Sequence, residues 1–145
     1  MTASLRPLIA FLSLLLALFA APAHAVESPA NARYKVVFAV TENDQKIWNE
    51  VFGNFRNIQR ELGPQNVAIE MVVYADGIAM LRDDSLVFNK VEDALNEGVR
   101  IVACMNTMNA QNISKDSMLP NIGYVQAGIV ELIKLQDQGW AYVRP

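Results

Sequence analysis

Tyr34-Lys35-Val36-Val37-Phe38-Ala39-Val40 runs into Thr41-Glu42-Asn43-Asp44, and a helical repeat follows over residues 47–62. The first segment is short, rich in β-branched residues and apolar at nearly every position. That composition suits a strand covered on both faces. The next four residues are rich in side chains that cap helices. Ile47, Val51, Phe55, Ile58 and Leu62 then line one helical face, with Trp48 and Phe52 beside them. Gly63-Pro64 stops the helix. One strand followed by one amphipathic helix is the unit from which the rest can be read.

The unit recurs. Residues 67–74 read as a second strand and end at Ala75-Asp76-Gly77. Residues 78–84 form a connection with apolar residues of its own. Ser85 is placed to cap a helix over 86–96, with Val87, Val91 and Leu95 on one face. Gly98 ends it, and residues 99–104 (VRIVAC) form the third strand. A longer polar connection over 105–120 carries one expected helical turn around 110–113. Residues 122–125 are a short fourth strand. A helix over 128–138 places Ile129, Leu132, Ile133 and Gln136 in register, and residues 140–143 are a fifth strand. Strands alternating with helices predict an α/β fold in three layers, α/β/α, with about five mostly parallel strands. The aromatic residues of the first helix are explained as core.

The chain before this pattern reads differently. Arg6 precedes an apolar run over 8–20, and Ala23-His24-Ala25 is a small-x-small cleavage site. Those parts in that order describe a secretory signal peptide over residues 1–25. Residues 26–33 are then a lead-in and 34–145 the folded domain. The apolar run is short for a membrane span, so no stable membrane anchor is expected after cleavage. The expected destination is outside the cytoplasm, in the periplasm.

Cleavage would leave 120 residues, enough for one core without staples. It would also remove His24, the only histidine of the 145-residue chain. A Ser-His-Asp triad, a Cys-His pair and a histidine zinc site then have no histidine to use. One cysteine rules out a CxxC pair and an intramolecular disulfide. The formal charge of −3, about −4 after cleavage, offers no basic patch for nucleic acid. No Gly-rich phosphate loop or other cofactor motif occurs, and no cofactor is expected.

What remains is Cys104, the last residue of the third strand. Sites in open α/β sheets form at the carboxyl ends of strands. Asn43, Asp76, Gly77, Met105, Asn106, Thr107 and Gly128 come from those same ends and are candidates to line a site with it. A helical turn starting at Met105 would favour a thiolate. Three readings stay open on the residues alone: a reactive thiol, a buried structural cysteine, and a soft Cu(I) ligand acting with Met105 or Met108. Asp76-Gly77 can also be read as a plain turn.

Val99-Arg100-Ile101-Val102-Ala103-Cys104-Met105-Asn106-Thr107-Met108 resembles the strand-plus-cysteine segment of the DsrE/DsrF-like family. Asp116, Leu119-Pro120, the helix from Gly128 and Gln136-Asp137-Gln138-Gly139-Trp140-Ala141-Tyr142 follow in the same order. Lys35-Val36-Val37-Phe38 and the helix from Trp48 to Leu62 fit as well. The resemblance implies a flavodoxin-like fold, a homo-oligomer and a role in sulfur metabolism. In that role Cys104 would accept sulfur as a persulfide from a donor protein and pass it to an acceptor. The signal sequence departs from the family's cytoplasmic sulfur relays. The resemblance points to a carrier or binding protein more than to a stand-alone enzyme. The alternative is a non-catalytic binding or assembly module with Cys104 in its core.

Overall fold

The computed structural model describes residue 29 and residues 31–145. The signal-peptide reading of residues 1–25 lies outside the described residues, as does much of the 26–33 lead-in. Five strands form one sheet: β1 (Tyr34–Val40), β2 (Val67–Val73), β3 (Arg100–Cys104), β4 (Gly123–Val125) and β5 (Ala141–Val143). Their order is β4-β3-β2-β1-β5 and every pairing is parallel. Four helices connect them: α1 (Gln45–Leu62), α2 (Phe88–Asn96), α3 (Met105–Ala110) and α4 (Gly128–Asp137). Among the described residues, no helix is long and apolar enough to cross a membrane.

Strand order decides which face each helix covers. From β1 to β4 the chain steps in one direction across the sheet, and right-handed crossovers put α1, α2 and α3 on one face. The last connection runs back across the whole sheet to β5, so the same handedness puts α4 on the other face. The larger core accordingly joins Phe38, Met71 and Ile101 to Phe52 and Phe55 of α1, Val91 of α2 and Met108 of α3. Phe38 meets Phe55 edge-on at 5.0 Å, and Phe52 meets Phe55 at 5.9 Å. The smaller core joins Val37, Ala39, Val72 and Val102 to Leu132 and Leu135 of α4.

Local signals set most boundaries. Asp44 caps α1 by accepting from the Lys46 N–H at 2.7 Å. Gly63, at φ 84°, ends it in a backbone region that side-chain-bearing residues rarely adopt. The Ser85 hydroxyl accepts from the Val87 N–H at 3.3 Å, so α2 opens two residues later than the expected 86.

Two expectations need correction. The helical turn placed around 110–113 is instead α3, which begins directly after Cys104. Its periodicity was obscured because only Met108 is buried; the other α3 residues are exposed or half-buried. The second correction is the buried face of α4. Gly128, Leu132 and Leu135 face the sheet, whereas Ile129 and Ile133 are 56% and 59% exposed. The helix is apolar on two sides, so periodicity alone selects the wrong one. Gly128, with no side chain, is the residue that lets the helix start lie against the sheet.

One charged residue lies in the middle of the sheet. Glu70 on β2 is 2% exposed and stands beside Arg100 of β3 in register. Its carboxylate pairs with the Arg100 guanidinium, which also reaches Glu131 of α4 at 3.3 Å. Burial pushes the Glu70 carboxyl up, and Arg100 pulls it back only in part. The cluster ties α4 to the sheet at the edge opposite Cys104.

Candidate functional site

β3 and β4 are neighbours, and Cys104 stands beside Val125 at their carboxyl ends. From this point the two connections part. The one after β3 turns into α3 on the larger-core face; the one after β4 turns into α4 on the other. Divergence of adjacent connections marks the point at a sheet edge where α/β folds place their ligands. Cys104 is at that point, between the first turns of two helices.

The sulfur is surrounded by donors. The Gly128 N–H points at Cys104 Sγ at 3.3 Å. Gln126 O lies 3.9 Å from the sulfur and can accept from the protonated thiol. Burial raises the Cys104 pKa. The Thr107 side chain, the Gly128 N–H and the backbone N–H groups of Thr107 and Asn106 outweigh it, leaving the thiol below its ordinary value. Helix starts favour negative charge for the same reason. The side chain is 5% exposed. Outside it, the Asn106 N–H donates to Gln126 O at 3.1 Å and the Gln126 amide donates to Asn106 Oδ1 at 2.6 Å.

The end of β2 forms the next part of the wall. Tyr74 follows β2 on the Cys104 side. A Cβ on Gly128 would lie 3.2 Å from its Cδ1 and 3.2 Å from Val72 Cγ1. Burial raises the Tyr74 phenol foremost, with smaller effects from Tyr142, Arg144, Glu42 and Cys104. Beyond it, the Arg144 guanidinium pairs with Glu42 and lies 3.4 Å from Thr41 Oγ1.

Of the residues singled out from sequence, Cys104, Asn106, Thr107 and Gly128 come together around the sulfur. Met105 is half-buried in the first turn of α3. Met108 is packed in the larger core. Asp76 is exposed within a 3-10 helix, Ala75–Leu81. Gly77 is in that helix too, and its Cα side lies so close to β1 that a Cβ would meet Val40 O at 2.6 Å. Asn43 borders a separate open cleft of about 580 Å³, with Trp48, Arg82 and Asp84 among its walls. Among the described residues, no group of three or more His, Cys, Asp or Glu side chains is placed to hold a metal ion. Sequence reading placed Gln126 at the end of the fourth strand, ahead of Gly128, but missed Tyr74. Tyr74 directly follows β2, which was the available signal.

A model of the DsrE/DsrF-like family matches residues 35–145, which include all five strands but for Tyr34. The chain belongs to the DsrE/DsrF-like family. This DsrE-like chain is similar to a solved protein of unknown function, MTH1491 from Methanobacterium thermoautotrophicum. The two share 36% identity over 77% of this chain and 99% of that one, with a TM-score of 0.74. The fold is also that of BT1422 from Bacteroides thetaiotaomicron, a protein of unknown function. There the identity is 14%, the coverage 80% and 98%, and the TM-score 0.64. The ychN protein of E. coli has the same fold at 12% identity, with 79% and 99% covered and a TM-score of 0.62. No curated protein matches this DsrE-like chain.

Proposed function

We propose that this DsrE-like protein handles sulfur, with Cys104 as a transient persulfide carrier. The observation that supports it is the Gly128 N–H directed at Cys104 Sγ between the starts of α3 and α4. Donors that lower a thiol pKa raise the fraction present as the nucleophilic thiolate. In the transfer, the Cys104 thiolate attacks the outer sulfur of a donor persulfide. A new S–S bond forms at Cys104, the donor's S–S bond breaks, and the donor leaves as a thiolate. No external oxidant is required. An acceptor thiolate takes the sulfur on by the same exchange.

Incubation with an organic persulfide, followed by intact-mass spectrometry, is expected to add one sulfur atom to the protein and none to Cys104→Ser. No added sulfur on a Cys104 that is alkylated in the native state would sink the carrier reading. The burial of Cys104 favours a second reading, a binding or assembly module with a structural thiol. That reading expects alkylation only after denaturation.

We also propose export to the periplasm, supported by the charged, apolar and small-residue order of residues 1–25. Self-association with a second copy is proposed through the outer side of α4. Ile129, Val130 and Ile133 form an exposed apolar strip there, and the family resemblance implies a homo-oligomer. Sedimentation velocity should give a species larger than a monomer, shifted toward monomer by Ile133→Lys. A monomer at all concentrations would contradict the assembly.

A further inference from the structure

α3 holds the backbone at the end of β2 from both sides. The Ala75 N–H donates to Thr107 Oγ1 at 3.1 Å. The amide of Gln111, the residue that caps the C-terminal end of α3, donates to the Ala75 carbonyl at 3.3 Å. Ala75 itself has φ 50°, a region that residues bearing a side chain seldom occupy. Such a conformation persists where the surroundings over-determine it. Here the side chains of Thr107 and Gln111 grip both polar groups of that one residue.

The grip fixes more than Ala75. A threonine hydroxyl has one hydrogen and two lone pairs. With one lone pair taken by the Ala75 N–H, the oxygen is an acceptor there, and its single hydrogen is left to point elsewhere. Thr107 lies three residues after Cys104, which occupies the N-cap position of α3. Side chains with that spacing share one face of the first helical turn.

We propose that Thr107 is a positioning residue for Cys104: the Ala75 N–H orients its hydroxyl so that its one hydrogen is donated to the Cys104 sulfur. The inference rests on the reading of Cys104 as the sulfur acceptor and adds the group that prepares the thiolate. With the Gly128 N–H and the backbone N–H groups of α3, it surrounds the sulfur with donors from both flanking helices. The lowered Cys104 pKa, in which the Thr107 side chain takes part, is consistent with it.

The test is the ultraviolet absorbance of the thiolate followed against pH, with Cys104→Ser subtracted as background. This measurement needs neither a sulfur donor nor access of a reagent to the thiol. Thr107→Val keeps the shape and removes the hydroxyl. Its Cys104 midpoint should rise, lowering the thiolate fraction at a fixed pH below the midpoint about tenfold. Thr107→Ser keeps the hydroxyl and should return the midpoint towards that of the unaltered protein. Should Thr107→Val not fold, Thr107→Ala makes the same comparison with a smaller side chain. An unchanged midpoint without the hydroxyl, or a serine variant that behaves like valine, overturns the role. Failure of the unaltered protein to take up sulfur, with the midpoints moving as described, would instead overturn the carrier reading alone.

Discussion

Arg100→Met is expected to lower folding stability by about 1–3 kcal/mol, the cost of leaving a buried polar group without its partner, because the pair is buried only on its Glu70 side. Glu70 is the reason. Its carboxylate is 2% exposed in the central part of the sheet and has Arg100 as its cationic partner. Methionine retains much of the apolar stem that Arg100 lays along the sheet, so the loss falls mainly on the unpaired charge. The same change releases Glu131, and with it the tie between α4 and the sheet.

The pH dependence of that loss has a definite sign. Burial already holds the Glu70 carboxyl above its ordinary value, and without Arg100 it rises further. A group whose pKa is higher folded than unfolded binds more protons in the folded state, so folding gains as pH falls. The deficit of Arg100→Met should therefore be largest at neutral and alkaline pH and shrink on acidification through the raised Glu70 pKa. Urea unfolding at several pH values measures it. The double variant Glu70→Met, Arg100→Met should recover most of the loss, because no buried charge remains. A deficit independent of pH, or no recovery in the double variant, would contradict the account.

Gly128→Val is expected to act most strongly on the thiol. The α4 start lies so close to the sheet that even one added carbon meets Tyr74 Cδ1 and Val72 Cγ1 at 3.2 Å. Valine adds two further carbons, and either the helix start or the tyrosine must move. Overpacking of this kind costs about 1–3 kcal/mol. Moving the helix start takes the Gly128 N–H away from Cys104 Sγ, where it now stands at 3.3 Å. A hydrogen bond to a charged group contributes about 1.5–3 kcal/mol, so the thiolate fraction below the midpoint should fall about ten- to hundredfold. The same thiolate absorbance titration reads the change. An unchanged midpoint in a folded Gly128→Val, and again in Gly128→Val combined with Tyr74→Phe, would contradict displacement of this N–H from the sulfur.

Much of the fold is legible in short stretches. The all-apolar run of β1, the capping Asp44 and the stop at Gly63 each act over a few residues, so their local chemistry is visible in the chain. The face of α4 is different. Its residues are apolar on two sides, and the choice of Leu132 and Leu135 over Ile129 and Ile133 depends on how closely Gly128 approaches the sheet. The start of α3 was obscured for a related reason: a six-residue helix with one buried side chain carries almost no periodic signal.

The candidate site divides in the same way. Cys104 at the end of a strand, the absence of any other cysteine, and glycine at the start of a later helix can all be read along the chain. Their meeting cannot. Cys104 and Gly128 are brought together because β3 and β4 are neighbours and their connections leave on opposite faces. Thr107 reaches the backbone of Ala75 because α3 lies over the end of β2. Glu70 looks like an interruption of an apolar strand until the register sets Arg100 beside it. The chain order thus determined strands, helices and the candidate site residue, which depend on neighbours a few positions apart. Strand order and helix packing decided which donors reach the sulfur, because hydrogen bonds form across space at about 3 Å, whatever the separation along the chain.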